Sequence, residues 1–206
     1  MRESRPTRTY RGIELDEQFI PAVLEHLDDW SMRLSRTAAE WAERIALQLG
    51  LGDEEIHVLR VGALLHAMGR LGLSSAEGAL RWTQAGVTLP NAETGHLTPD
   101  EEALLRRSPA LLGQLVPDSK LDRVIDAVVF SGEYYDGSKS PRGLRGEAIP
   151  LFARILAVTT SFLTLTMSRP ETTALSREEA AARLRLEAGR RYDPEVLAAL
   201  GRALGC

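Results

Sequence analysis

Histidine is a scarce chemistry-bearing residue type in this chain of 206 residues, and its placement limits the reactions that can be considered. The four histidines are His26, His57, His66 and His96. A hydrolytic metal ion needs at least three protein ligands beside an open position for water. His57 and His66 are nine residues apart on one predicted helix, about two and a half turns, so they point to opposite faces. The histidines therefore offer few ligands for a metal centre.

The composition predicts one ordinary globular domain, or a main domain with a short appendage. The formal net charge of −4 argues against a polymeric nucleic acid as partner, because proteins that bind one carry a basic face. No apolar run reaches the roughly 18 residues that a membrane helix needs. The one cysteine, Cys206, cannot form an intrachain disulfide, which suits a reducing cytoplasm. We therefore expect a cytoplasmic protein without a membrane partner.

The apolar pattern divides the chain into an arm, a helix and a domain. Residues 1–15 carry several arginines without apolar periodicity, which predicts a mobile basic arm. Residues 16–30 predict an amphipathic helix, and residues 31–206 a helical domain. The arm-side helix either pairs with a copy of itself, giving a homodimer, or packs on the domain's own core. Both outcomes stay open.

Helix signals recur along the domain. A helix over about 31–49 ends before Gly50, and a strongly apolar helix, expected to be central, runs from the N-cap Asp53 to near Gly69. Further helices are predicted over about 119–130, from Pro150 to about 167, and after Asp193. Capping boxes are predicted at two further helix starts, Thr98 with Glu101 and Ser176 with Glu179. Because no segment alternates with period two, the fold class is all-α.

Three sequence strings carry a resemblance to a known family. They are LLHAMGR at 64–70, EYYDGSKSPRGLRGEAIPLFARILAV at 133–158 and SRP at 168–170. Together they resemble the HD-GYP family of bacterial phosphodiesterases, which hydrolyse cyclic di-guanosine monophosphate (cyclic di-GMP). The resemblance spans about residues 34–200 and implies an HD-domain-like helical bundle of the HD-GYP type.

The resemblance also implies two or three metal ions held by histidine and aspartate side chains. His66 keeps one of those ligand positions. The other positions hold residues that do not supply the family's ligand, namely Leu34, Ala67, Ser108, Ser131, Gly132 and Thr160. We therefore predict that the chain binds no metal or other cofactor and is not an enzyme. An active phosphodiesterase with a relocated metal site, and a structural or oligomerisation module, remain as alternatives.

Polar and basic residues remain at the family's site. In the family, the glycine and tyrosine of the loop motif contact partner cyclase domains, and here Lys139 and Ser140 replace them. Arginine binds phosphate through two parallel hydrogen bonds, so a phosphate or nucleotide pocket is one interpretation and a solvated loop is the other. The candidate ligand-binding residues are His66, Arg70, Glu133, Asp136, Lys139, Arg142 and Arg145.

The sequence thus predicts an inactive HD-GYP-like domain that acts in bacterial signalling. Its partner is predicted to be a signalling protein or a cyclic dinucleotide. One further departure from the family pattern is a segment around 82–96, which is about fourteen residues longer. It starts beside the former active-site mouth, where it either covers the site or extends away from it.

Overall fold

The computed structural model describes residues 9–10, 13–14, 29–72, 118–140, 142–167 and 173–205. Residues 16–28 of the helix predicted over 16–30, the longer segment 82–96 and the capping box at Thr98 lie outside these residues. Of the predicted amphipathic helix, only its last two residues are described, and they open the first helix of the bundle.

Two short strands lie within the predicted arm. β1 (Thr9–Tyr10) and β2 (Ile13–Glu14) pair antiparallel, with Thr9 opposite Glu14 and Tyr10 opposite Ile13. The sequence pattern assigned no strand or helix to this segment, and the two strands are additions to the predicted all-α class. Strands of two residues are too short to show the period-two alternation by which a strand is recognised in sequence.

The first two helices form a hairpin. α1 (Asp29–Gln48) buries residues at intervals of three and four, among them Ala38, Trp41 and Ile45. After the helix ends at Gln48, Gly50 has a φ of 77° in the left-handed region, and the backbone N–H of Leu51 donates to the carbonyl of Ala46 at 3.1 Å.

α2 (Asp53–Gly72) begins with three acidic residues, Asp53, Glu54 and Glu55, which the positive end of the helix dipole favours. It continues three residues beyond the predicted end at Gly69. A lone glycine inside a helix costs only about 1 kcal/mol, so it need not end one. At Gly62 a Cβ atom would lie 3.5 Å from the Ala127 Cβ, which shows how closely α2 approaches the next helix.

The remaining helices are α3 (Asp118–Val129), α4 (Leu151–Thr166), α5 (Arg177–Arg185) and α6 (Pro194–Leu204), with a 3-10 turn at Gly146–Ala148. The predicted capping box of α5 is confirmed: the Glu179 N–H donates to the Ser176 hydroxyl, and the Ser176 N–H to the Glu179 carboxylate. The predicted start of α6 is confirmed too, with Asp193 as N-cap and Pro194 at the first position.

α4 is the centre of the bundle. It packs against each of the other five described helices, whereas sequence reasoning placed α2 at the centre. α4 buries residues on most of its circumference, and at its middle the Phe162 ring meets Trp41 of α1 edge to face, with 4.8 Å between ring centroids. Apart from the two short strands, all described elements are helices, so the predicted all-α bundle is confirmed. In the described part of the chain, none is long and apolar enough to cross a bilayer.

Replacement of Phe162 by alanine tests the central position of α4. Phe162 is fully buried, so Phe162→Ala removes a large side chain from the core and should lower the free energy of unfolding by about 3 to 5 kcal/mol. Urea denaturation measures this change. Leu186 is 84% exposed, and Leu186→Ala should change the stability by less than about 0.5 kcal/mol. Equal effects of the two changes would contradict the packing.

Candidate functional site

His66 is held at its place on α2 by a residue that follows α3. Its side chain is buried, and its Nδ1 lies 3.3 Å from the hydroxyl oxygen of Ser131, which is also buried. The Ser131 hydroxyl donates to the backbone carbonyl of Val128 at 2.8 Å. Sequence reasoning treated Ser131 only as the replacement of a metal ligand. In the fold Ser131 is a hydrogen-bond partner of His66.

Arg70 lies one helical turn beyond His66, because α2 continues through both residues. Its side chain is outside the described part of the structure. The backbone alone therefore supports the prediction that these two residues belong to one site.

The residues present at the family's metal positions do not fit the metal ions that the resemblance implies. Leu34 has no ligand atom and packs against the core. The Thr160 hydroxyl donates to the Leu156 carbonyl of its own helix at 2.8 Å, and the Ser131 hydroxyl is used as described above. In the described ranges, no group of three or more histidine, cysteine, aspartate or glutamate side chains could hold a metal ion.

The loop between α3 and α4 carries most of the other candidate residues. Asp136 begins a tight turn by accepting the backbone N–H of Ser138 at 2.8 Å, and hydrogen bonds from the Ser138 side chain and backbone lower the pKa of Asp136. Gly137 follows with a φ of 80°, and a Cβ there would lie 3.1 Å from the Cβ of Arg145. Asp136 thus shapes the loop.

A second segment, residues 190–193 before α6, supports this loop through the backbone. The Asp136 N–H donates to the Arg190 carbonyl at 2.9 Å, and the Tyr135 N–H to the Arg191 carbonyl at 3.3 Å. The Arg191 guanidinium lies 5.5 Å from the ring centre of Tyr134, within the range of a cation–π contact.

A buried ion pair fixes the supporting segment. Arg154 of α4 pairs with Asp193, and its Nε donates to the Ile149 carbonyl at 2.9 Å. The other carboxylate oxygen of Asp193 accepts the Glu195 N–H at 2.8 Å and so caps α6. Burial, and then the nearby Asp193 carboxylate, raise the pKa of Tyr135. One carboxylate thus joins α4, α6 and the loop.

Glu133 lies inside the loop and not on its surface. Its side chain is fully buried, and Arg142 approaches with Nη1 at 3.9 Å from Oε1. Among the residues that the structure describes, neither carboxylate oxygen has a hydrogen-bond partner. A cavity of about 10 Å³ beside it is the size of one water molecule, far too small for a nucleotide. Glu133 and Arg142 thus point to the interior.

Lys139 and Arg145 are the candidate cations that the loop exposes to solvent. Lys139 lies above the Tyr134 ring, with Nζ 5.4 Å from the ring centre. The predicted residues whose side chains are described thus fall into four groups: His66 with its partner Ser131, the inward residues Glu133 and Arg142, the turn residue Asp136, and the outward cations Lys139 and Arg145.

Comparison with known proteins identifies the relatives. A family profile described as HD domain matches residues 18–196. The chain is 36% identical over 203 residues to the cyclic di-GMP phosphodiesterase response regulator RpfG of Xanthomonas campestris, covering 96% of this chain and 47% of that protein. It is 31% identical over 179 residues to the 3'3'-cGAMP-specific phosphodiesterase 3 of Vibrio cholerae, covering 82% of this chain and 34% of that protein. The chain thus spans half or less of the length of these relatives.

Two solved structures share the fold. The Bdellovibrio bacteriovorus protein Bd1817, described as an HDG"Y"P protein, matches with a TM-score of 0.51 at 18% identity, over 90% of this chain and 56% of that one. A cyclic GMP-AMP specific phosphodiesterase of Vibrio cholerae matches with a TM-score of 0.52 at 20% identity, over 85% of this chain and 48% of that one. The predicted bundle of the HD-GYP type is confirmed.

The prediction that the chain is not an enzyme is contradicted by its relatives. The proteins to which it is 36% and 31% identical are named phosphodiesterases, so the similarity points to a family of enzymes. That prediction depended on Leu34, Ala67, Ser131 and other replaced ligands. Such replacements tell which groups are missing at known positions, but not which chemistry the remaining groups perform. Catalytic inactivity does not follow from them. The predicted protein partner and homodimer remain predictions.

The close approach of Gly137 to Arg145 can be tested against a second glycine of the same loop. Gly143 has a similar φ of 73°, but a Cβ there would meet no atom within 4 Å. Either glycine changed to alanine should lose about 1 to 2 kcal/mol through the left-handed backbone, and Gly137→Ala should lose more because it displaces Arg145. Thermal denaturation of both variants measures the difference. A greater loss for Gly143→Ala would contradict this geometry.

The ion pair of Asp193 predicts a large effect on stability, and two substitutions can separate the contribution of the ion pair from that of the helix cap. Asp193→Ala removes both the ion pair and the cap and should cost about 3 to 5 kcal/mol. Asp193→Asn keeps a capping oxygen, so it should cost about 1 kcal/mol less than Asp193→Ala. Glu187 forms an exposed pair with Arg190, and Glu187→Gln should cost less than about 1 kcal/mol. Chemical denaturation gives all three values, and equal losses for Asp193→Ala and Glu187→Gln would contradict the assignment.

Proposed function

Because the chain belongs to the HD-domain family, we propose that it binds a cyclic dinucleotide in bacterial signalling, at the surface formed by the end of α2 and the α3–α4 loop. The observation that carries this proposal is the hydrogen bond between His66 and Ser131. It joins the helix that bears His66 and Arg70 to the start of the loop that bears Lys139 and Arg145.

The chemistry of the ligand matches these residues. A cyclic dinucleotide has two phosphodiester groups, each with one negative charge, and two bases. Arg145 is exposed and can donate two parallel hydrogen bonds to a phosphate, and Lys139 supplies a compact positive charge. Because the chain as a whole has a net charge of −4, a local cluster of cations is needed to attract such an anion.

The inward residues have a supporting role in this proposal. Glu133 places a buried negative charge 3.9 Å from Arg142, and Asp136 closes the turn that precedes Lys139. A carboxylate repels phosphate, so we assign neither Glu133 nor Asp136 to direct contact with the ligand. Glu133, Asp136 and Arg142 therefore shape the loop on which the binding cations lie.

The relatives support the class of ligand. One is named a cyclic di-GMP phosphodiesterase and another a 3'3'-cGAMP-specific phosphodiesterase. Binding of such a molecule must precede any reaction on it, so binding is the step to be tested first. We place this function in the cytoplasm, because the single cysteine suits a reducing compartment.

Thermal denaturation with cyclic di-GMP and 3'3'-cGAMP tests the proposal. A ligand at a hundred times its dissociation constant stabilises the native state by about 2.7 kcal/mol, which raises the melting temperature of a domain of this size by about 5 to 10 °C. We expect such a shift with at least one of the two molecules and none with GMP. No shift at a hundredfold excess over a micromolar affinity would refute the proposal.

Two substitutions locate the site. Arg70→Ala and Arg145→Ala should each weaken binding about tenfold or more, because each removes a charged hydrogen-bond donor to phosphate. Arg183 is exposed on α5, outside the loop, and Arg183→Ala removes the same charge as a matched control. Isothermal titration calorimetry measures the three affinities. If Arg70→Ala and Arg145→Ala bind as tightly as Arg183→Ala, the ligand does not bind at this surface.

A further inference from the structure

The ring of Tyr134 holds two cations that come from separate segments of the chain. Lys139 of the α3–α4 loop places its Nζ 5.4 Å from the ring centre. The guanidinium of Arg191, in the segment before α6, lies 5.5 Å from the same ring centre. Both distances are within the range of cation–π contacts. Arg191 was not among the residues that the sequence singled out, because only the fold brings it to this loop.

Arg191 is held in place without the use of its side-chain donors. Its guanidinium also lies 5.1 Å from the ring centre of Tyr192, and its backbone bonds the Glu187 carbonyl at 2.9 Å and the Tyr135 N–H at 3.3 Å. Contact with an aromatic ring uses the charge of a guanidinium, whereas its N–H donors form a planar fork suited to phosphate. Within the described part of the chain, this guanidinium donates no hydrogen bond and forms no ion pair, and the residue is exposed.

Acidic side chains that lie close in sequence to these two cations have partners of their own. The Glu187 carboxylate pairs with Arg190 at 3.1 Å, and the Asp136 carboxylate accepts the backbone N–H of Ser138 at 2.8 Å. Among the residues that the structure describes, neither of the two cations on the ring forms an ion pair. Two exposed positive charges therefore remain together on a chain whose net charge is −4, and an anion is the complementary ligand.

We propose that Lys139 and Arg191 form a phosphate clamp across the Tyr134 ring, with Tyr134 as its positioning residue. The ammonium group supplies a compact charge, and the guanidinium supplies two parallel N–H donors. Because the ring holds both cations before the ligand arrives, little conformational entropy is lost on binding. As the phosphate subsite of a cyclic dinucleotide, the clamp rests on the proposed function, and it extends the binding surface to the segment before α6.

Isothermal titration calorimetry of the full chain, with cyclic di-GMP and with inorganic pyrophosphate, tests the clamp. Arg191→Ala should weaken the binding of each about tenfold, because it removes a charged hydrogen-bond donor to phosphate. Arg183→Ala removes the same charge from the exposed side of α5 and should bind as tightly as the wild type. If Arg191→Ala binds both molecules as tightly as Arg183→Ala does, the clamp is overturned.

Substitutions at Tyr134 test its positioning role. Tyr134→Phe keeps the ring on which both cations lie and should bind like the wild type. Tyr134→Leu removes the ring and should weaken binding about threefold to tenfold, although it removes no charge. Thermal denaturation checks that each variant is folded, and Tyr134→Met, which also lacks a ring, replaces Tyr134→Leu if that variant does not fold. Equal affinities of the variants with and without the ring overturn the positioning role.

The two ligands separate the clamp from the proposed function. If the wild type binds pyrophosphate through Arg191 but binds neither cyclic di-GMP nor 3'3'-cGAMP, the proposed function fails and the phosphate clamp stands. If the wild type and Arg191→Ala bind cyclic di-GMP equally well, the clamp fails and the proposed function stands. If the wild type binds none of these molecules, both are overturned.

Discussion

The ion pair between Arg154 and Asp193 connects α4, the start of α6 and the end of the α3–α4 loop. Asp193 uses one carboxylate oxygen for Arg154 and the other for the first turn of α6. Arg154 in turn bonds the carbonyl of Ile149, where the loop joins α4. Two buried charges are costly unless they are paired and hydrogen-bonded, and here both conditions are met. The start of α6, the end of the α3–α4 loop and the central helix α4 are therefore held together.

The α3–α4 loop has hydrogen bonds of its own and is also attached to this arrangement. It is attached through Tyr135 and Asp136 to the carbonyls of residues 190 and 191, directly before the ion pair. One side of the loop is filled by the buried Glu133. The other side exposes Lys139 and Arg145. A backbone held by hydrogen bonds, with cations on one side, suits the anionic ligand that we propose, because ordered groups lose little conformational entropy on binding.

The fold accommodates residues that depart from the HD-GYP pattern through local contacts. Leu34 packs against the core, Thr160 bonds to its own helix, and Ser131 bonds to Val128 and His66. None of these replacements interrupts a helix. The phosphodiesterase relatives show what the family does, and the local bonds of these residues show how the bundle accommodates other side chains at the same places. The first observation concerns chemistry and the second concerns packing, so neither replaces the other.

The sequence by itself determined the features that arise within a few residues of each other. The capping box of Ser176 and Glu179, the start of α6 at Asp193 and Pro194, and the helical periodicity of α1 were all predictable, because neighbouring residues alone satisfy them. The resemblance to the family located His66 and the loop. The two-residue strands could not be predicted, because they are shorter than the pattern that identifies a strand.

Only the tertiary structure decided which distant residues meet. His66 and Ser131 are 65 residues apart, and Arg154 and Asp193 are 39 apart, so no local pattern relates them. The tertiary structure also decides which way side chains point. Glu133, Lys139 and Arg142 are close in sequence, yet Glu133 is buried and Lys139 is exposed. Hydrogen bonds and burial depend on the packing of α2, α3 and α4 around one another, and that packing is a property of the folded chain and not of any segment.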